Sequence, residues 1–129
     1  MLDALSSRLE RYMDLLSARQ KLVASNIANA DTPGYRTKDI DFQFEFMSAA
    51  GLAADQTVGH GESPGGVNPF PPNVIETPGL QVKNDGNNVD MDREARLLAE
   101  NAIRFNLAST LLHAQIQDVK MAIQGGQGG

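Results

Sequence analysis

Residues 90–124 read DMDREARLLAENAIRFNLASTLLHAQIQDVKMAIQ, and the periodicity of this stretch decides the fold. Met91, Leu98, Phe105, Leu112 and Val119 recur at a strict step of seven. A second row one helical turn on (Ala95, Ala102, Ser109, Ile116, Ile123) widens the seam to a core-facing stripe. No Gly or Pro interrupts it, so the spacing predicts a helix of about 34 residues, about 50 Å long. A lone helix of that length cannot bury its own apolar face. It needs a partner helix.

The partner lies at the other end of the chain. From Leu2 to about Ala30, the residues Leu5, Leu9, Tyr12, Leu16, Val23 and Ile27 keep spacings of three, four and seven, again without Gly or Pro. Arg19, Gln20 and Asn26 fall on or beside this stripe and read as boundary positions reaching water. The sharper alternative is that a buried Asn26 fixes register between packed helices, as a lone Asn does in coiled coils. Asp31-Thr32-Pro33-Gly34-Tyr35 ends the helix, because Pro33 cannot continue it and biases Thr32 away from helical angles. Pro33 followed by Gly34 suits a type II turn, whose third position needs a positive φ.

Between the helices the period changes. Ile40, Phe42, Phe44 and Phe46 alternate with Asp39, Asp41, Gln43 and Glu45, which predicts a strand over 39–46 with one wet acidic face. A short helix beginning near Asp41 and running into the Ala-rich residues 48–55 is the alternative. Residues 56–79 are rich in Gly and Pro and are expected to form no regular element. Leu80–Lys83 reads as a short strand, and Asn84-Asp85-Gly86-Asn87-Asn88 as turn chemistry. Asp90 or Asp92 offers a cap for the long helix, and Gly125-Gly126 is expected to stop it. The expected fold is mainly α. Two long terminal helices form a coiled-coil-like pair over 1–35 and 85–125, with an irregular or partly β insert over 36–84 and a flexible tail at 126–129.

Composition removes whole classes of function. The balance of 11 basic to 16 acidic residues, net −5, argues against binding nucleic acid or an anionic membrane. The terminal segments hold nearly balanced charge and the excess acid lies in the middle, so the ends suit close packing against like segments. There is no cysteine, hence no disulfide or thiolate chemistry. No apolar run approaches the ~18–20 residues of a membrane span. The N-terminal MLDALSSRLERYMDLL has acids among its bases and no unbroken apolar run, so no cleaved signal peptide is expected. His60 and His113 have no ligand partners at metal-binding spacing. Counted from Asp85 as a calcium loop, the sixth position is Asp90 instead of Gly and the twelfth Arg96 instead of Glu. Asp39 and Asp41 read as the wet face of their segment, and no phosphate loop or nucleophile elbow is present. Nothing points to an enzyme, a cofactor or a metal.

Ser25-Asn26-Ile27-Ala28-Asn29-Ala30-Asp31-Thr32-Pro33-Gly34-Tyr35 resembles the Asn-rich signature that closes the N-terminal helix in the bacterial flagellar basal-body rod proteins and their hook relatives. Lys38-Asp39-Ile40-Asp41-Phe42 and the run Asp85-Gly86-Asn87-Asn88-Val89-Asp90-Met91-Asp92-Arg93-Glu94 are similar to the proximal-rod type. At Phe44-Glu45-Phe46 the chain is more aromatic than the helical stretch such proteins often have there. The resemblance implies a structural subunit without enzymatic activity, whose terminal helices pack into the tubular inner layer of a rod. It implies export unfolded by the flagellar type III apparatus, without a cleaved leader, to the periplasmic part of the basal body. Its implied partners are copies of itself, other rod subunits, the small adaptor at the rod base and the membrane-embedded ring. The expected assembly core is Leu5, Leu9, Tyr12, Leu16, Val23, Ile27, Met91, Leu98, Phe105, Leu112, Ile116, Val119 and Ile123. The motif residues are Asn26, Asn29, Asp31, Pro33, Gly34 and Tyr35. The residues alone also leave open a soluble cytosolic helical-hairpin adaptor that closes into a small oligomer.

Overall fold

The computed structural model describes residues 2–49 and 72–127. Helix α1 spans Leu2–Ala28, strand β1 Lys38–Ile40, helix α2 Phe42–Ala49, strand β2 Val74–Glu76 and helix α3 Met91–Gln127. The protein is mainly α, with two long terminal helices packed on each other and a small antiparallel strand pair from the insert. Residues 50–55 of the Ala-rich stretch, His60 and most of the Gly/Pro-rich break lie outside the described residues.

Local chemistry sets the ends of the helices. At the close of α1 the Asn29 amide donates to the carbonyls of both Ser25 and Asn26, and its side chain returns to the Ser25 carbonyl at 2.8 Å. Orphan carbonyls of the last turn are thereby satisfied. Tyr35 N then donates to Thr32 O across Pro33-Gly34, with Gly34 at φ 76°, the expected type II geometry. At the start of α3, Asp90 Oδ1 accepts from the amides of Asp92 and Arg93, so Asp90 is the cap. The expected stop at Gly125 does not hold: α3 continues to Gln127. Glycine costs a helix about 1 kcal/mol relative to alanine without forbidding it, and no proline follows.

The helices run antiparallel. Asn26 of α1 meets Glu94 of α3, Leu16 meets Asn101, and Tyr12 hydrogen-bonds Arg104, which holds that guanidinium's pKa above its ordinary value. The apolar core is thin: among the described residues Leu15, Leu16, Val23, Ile40, Val89 and Ala108 are buried.

The insert departs from the expected strand over 39–46. β1 ends at Ile40, and Asp41 caps α2 by accepting from Phe44 N at 3.0 Å. Glu45 breaks the acidic-out alternation. It is buried, pairs with Arg11 at 2.8 Å and accepts from Asn73 N at 2.6 Å. β1 finds its partner in β2, inside the stretch expected to be irregular, with Lys38 opposite Glu76 and Ile40 opposite Val74. Pro72 and Pro78 lie outside the paired residues, where their missing N–H groups break no ladder bond. Leu80–Lys83 is not a strand.

Candidate assembly surface

Two features stand out: a buried polar knot where the hairpin closes, and an uncovered apolar flank along α3.

The knot is built on Asn26. This residue is 1% exposed, so the boundary reading fails there and the buried reading holds. Its Nδ2 donates to Lys38 O at 2.9 Å and to Glu94 Oε2 at 3.2 Å, and its Oδ1 accepts from Lys38 N at 3.1 Å and Tyr35 Oη at 3.0 Å. The carboxamide thus occupies the outer edge of β1 as a further strand would, satisfying both peptide groups of Lys38. One side chain joins α1, β1 and α3. Around it, Asp39 is buried, contrary to its wet-face reading, and takes two hydrogen bonds from Arg19 and one from Arg93. Arg93 also donates to the fully buried Glu94 at 2.8 Å, and the Arg19 guanidinium lies 4.8 Å from the centre of the Phe42 ring. Buried charges are tolerated because every one is paired.

The second half of the knot comes from the loop before α3. Asn87 is completely buried and donates to the carbonyls of Asn29 and Thr32, while its Oδ1 accepts from Val89 N. Asn88 Oδ1 accepts from Thr37 N at 2.6 Å, and its amide donates to Tyr35 O. Gly34 N donates to Asp85 O at 2.9 Å. The segments 25–35 and 85–94 therefore dock directly on each other. Asn26, Asn29, Gly34 and Tyr35 sit in the knot, while Asp31 and Pro33 are exposed. Sequence reading missed the inward roles of Asp39, Asn87, Asn88 and Glu94. The only signal was the density of asparagine, read as turn propensity.

The two glycines of the knot give a prediction. Gly86 has φ 86°, and a Cβ there would lie 3.3 Å from the Cα of Gly34; at Gly34 a Cβ would meet nothing within 4 Å. Gly34→Ala is expected to show only the conformational cost of about 1–2 kcal/mol. Gly86→Ala adds backbone crowding and lowers the urea midpoint further. Equal midpoints for the two variants would mean the loops are not held in contact.

The flank arises from which row of α3 faces α1. The inward row is Glu94, Asn101, Ala108 and Gln115, three residues beyond Met91, Leu98, Phe105 and Leu112. Polar groups of this row are used by α1: Glu94 accepts from Asn26, and Asn101 donates to Leu16 O at 2.8 Å and Gln20 Oε1 at 3.0 Å. The apolar rows are left to one side. Of the expected assembly residues, Leu16 and Val23 are buried, and Leu9, Tyr12, Ile27, Leu112 and Val119 half-buried. Leu5 and Met91 are exposed, as are Leu98 (39%), Phe105 (38%), Ile116 (55%) and Ile123 (58%). Among the described residues no cluster of acidic or histidine side chains is placed to hold a metal, and no helix is long and apolar enough to cross a membrane.

A helical hairpin tied by an Asn-rich knot, with its apolar flank uncovered, is the form of an assembly subunit, and its sequence places it among the flagellar rod proteins. The family described as "Flagella basal body rod protein" matches residues 13–36, the end of α1 and the turn after it. The flagellar basal body rod protein FlgB of Salmonella typhimurium is 34% identical over 98% of this chain and 99% of its own length. FlgB of Escherichia coli K12 is 32% identical over 98% and 99%, and that of Borrelia hermsii 30% over 88% and 91%. The chain belongs to the FlgB family of flagellar basal-body rod proteins.

Proposed function

We propose that the chain is a structural, non-enzymatic subunit of the proximal rod, built into a helical tubular layer through its terminal hairpin. The observation that carries this reading is the apolar flank of α3, where Leu98 and Phe105 keep 39% and 38% of their surface exposed and Ile116 and Ile123 more than half. Burying one Leu or Phe contributes roughly 1.5–3 kcal/mol, so a row of them supports contacts between subunits. Contacts between unlike patches that do not close on themselves extend into an open helical array. The hairpin is then the assembling core. The neighbours are copies of the chain, other rod subunits, the adaptor at the rod base and the membrane-embedded ring, in the periplasmic part of the basal body. Delivery is by the type III export apparatus without removal of a leader. A thin apolar core suits a chain that travels unfolded, folds around its polar knot and orders the uncovered ends of its helices on assembly.

Sedimentation velocity and circular dichroism over a wide concentration range test this. The expected result is continued growth in mass, with helix content rising as particles form. Mass that stops at a dimer of constant helicity would favour a closed hairpin adaptor and refute the rod reading.

A further inference from the structure

Helix α3 outreaches its partner. With Asn26 level with Glu94, Leu16 with Asn101 and Tyr12 with Arg104, the start of α1 stands beside about residue 116 of α3, and the remaining turns project by about 15 Å. Ile116, Met121 and Ile123 in this part are each more than half exposed. Asp118 and Lys120 cancel, so the end is a neutral apolar helix carrying the amides of Gln117 and Gln124.

About 30 Å back along α3, a groove of about 340 Å³ opens between the helices on the apolar flank, walled by Leu16 and Gln20 of α1 and by Asn101, Ala102 and Phe105 of α3. None of its lining residues is charged. Asn101 is 5% exposed; its Nδ2 serves Leu16 and Gln20, and its Oδ1 has no hydrogen-bond partner. A buried acceptor of this kind is out of place in a finished structure. The groove is therefore uncharged, with Leu16, Ala102 and Phe105 beside the polar Ser17, Gln20, Asn101 and Asn106, and it carries one partnerless acceptor just beneath its wall that a donor could reach by a small shift of the side chain.

We propose that this groove seats the projecting end of α3 from a second copy of the chain. Ile116 and Ile123 of the incoming helix lie against Ala102 and Phe105, and one of its glutamine amides donates to Asn101 Oδ1. The match is one of chemistry: an uncharged apolar seat with a spare acceptor, and a neutral apolar end with spare donors. Seat and end are different patches of one helix, so a docked pair keeps one free seat and one free end, and addition continues. The inference rests on the rod reading and gives it a specific contact.

The chain has no cysteine, so engineered ones report cleanly. Ala102→Cys chains mixed with Ile123→Cys chains and oxidised should give a mixed disulfide-linked dimer in excess of either homodimer. The double variant A102C/I123C should give a ladder. A control pairing Ala102→Cys with Thr110→Cys, exposed on the side of α3 turned away from α1, should link poorly. Particles that grow by sedimentation while A102C and I123C link no better than the control would overturn this docking and leave the rod reading standing. So would preferential linking of A102C to Leu5→Cys, or a single closed dimer from the double variant. Absence of any association would overturn both. As a second variant, Ala102→Trp fills the groove at a position exposed in the single chain. Helicity of the dilute protein should persist while association weakens at least tenfold, and unchanged association would count against the seat.

Discussion

Replacing Asn26 by leucine is expected to lower stability by about 3–5 kcal/mol, enough to leave a small domain of ordinary stability near the edge of unfolding. The substitution adds apolar bulk at a 1%-exposed site, so a hydrophobic count alone would predict little harm. The loss comes from what the carboxamide holds. Lys38 N and Lys38 O lose their partner together, on the side of β1 that β2 does not reach. These bonds are partly buried, and each backbone group orphaned there costs about 1–2 kcal/mol. Glu94, with no exposed surface, is left with Arg93 as its remaining side-chain donor among the bonds described, and Tyr35 Oη loses an acceptor. Asn26→Asp should be no milder, because it keeps the acceptor but removes the donor and sets a second carboxylate against Glu94. Urea denaturation followed by circular dichroism reads both variants. A loss under about 1 kcal/mol for Asn26→Leu would mean water replaces the amide and the knot does not hold the insert to the hairpin.

Why Asn26 was only half legible in the sequence shows where such reading stops. The helices were readable because their signal is local: seven-residue spacing, absence of Gly and Pro, an Asp at one end and Pro33-Gly34 at the other. The Pro33-Gly34 turn and the Asp90 cap were readable for the same reason, since each depends on neighbours a few residues away. The strand pair was not, because β1 and β2 are each only three residues long and their partners lie on opposite sides of the insert. Over 42–46 the apolar alternation mimicked a strand, whereas Asp41 as a cap and Glu45 turned inward to Arg11 favour α2. The inward row of α3 was missed for a related reason. Periodicity finds apolar rows, and the seam facing α1 is Glu94, Asn101, Ala108 and Gln115, whose polar members have partners far away in the chain. Polar seams leave no hydrophobic period to find.

That division of labour on α3 makes the second large effect separable from the first. Changing Leu98 and Phe105 together to glutamate is expected to abolish assembly while leaving the hairpin folded. Both side chains are more than a third exposed in the single chain, and neither belongs to the row that hydrogen-bonds α1, although Phe105 walls the groove beside Leu16 and Gln20. Their removal therefore costs the monomer little, of the order of 0.5 kcal/mol per exposed site. In a packed array the exposed part of each would be covered, about 0.4 of the side chain, and losing that burial removes roughly 0.6–1.2 kcal/mol per residue. The two together weaken association by a factor of about 10 to 60, and the cost of burying two unpaired carboxylates comes on top. The control is Ile103→Glu, 68% exposed on the side of α3 turned away from Leu98 and Phe105, which should assemble as the parent does if the flank and not exposed apolar surface in general is the joint. Sedimentation would show the double variant remaining small at concentrations where the parent and Ile103→Glu form large particles, with the urea midpoint of the dilute protein nearly unmoved. If the double variant assembled normally, the flank of α3 would not be the joining surface, and the groups covering Leu98 and Phe105 would have to come from the chain itself. If it unfolded instead, Leu98 and Phe105 would belong to the hairpin's own core and the separation between folding seam and joining flank would not exist. The polar row at 94, 101, 108 and 115 argues against that second outcome, because its hydrogen bonds place α1 on that side of α3 and leave the apolar rows facing outward.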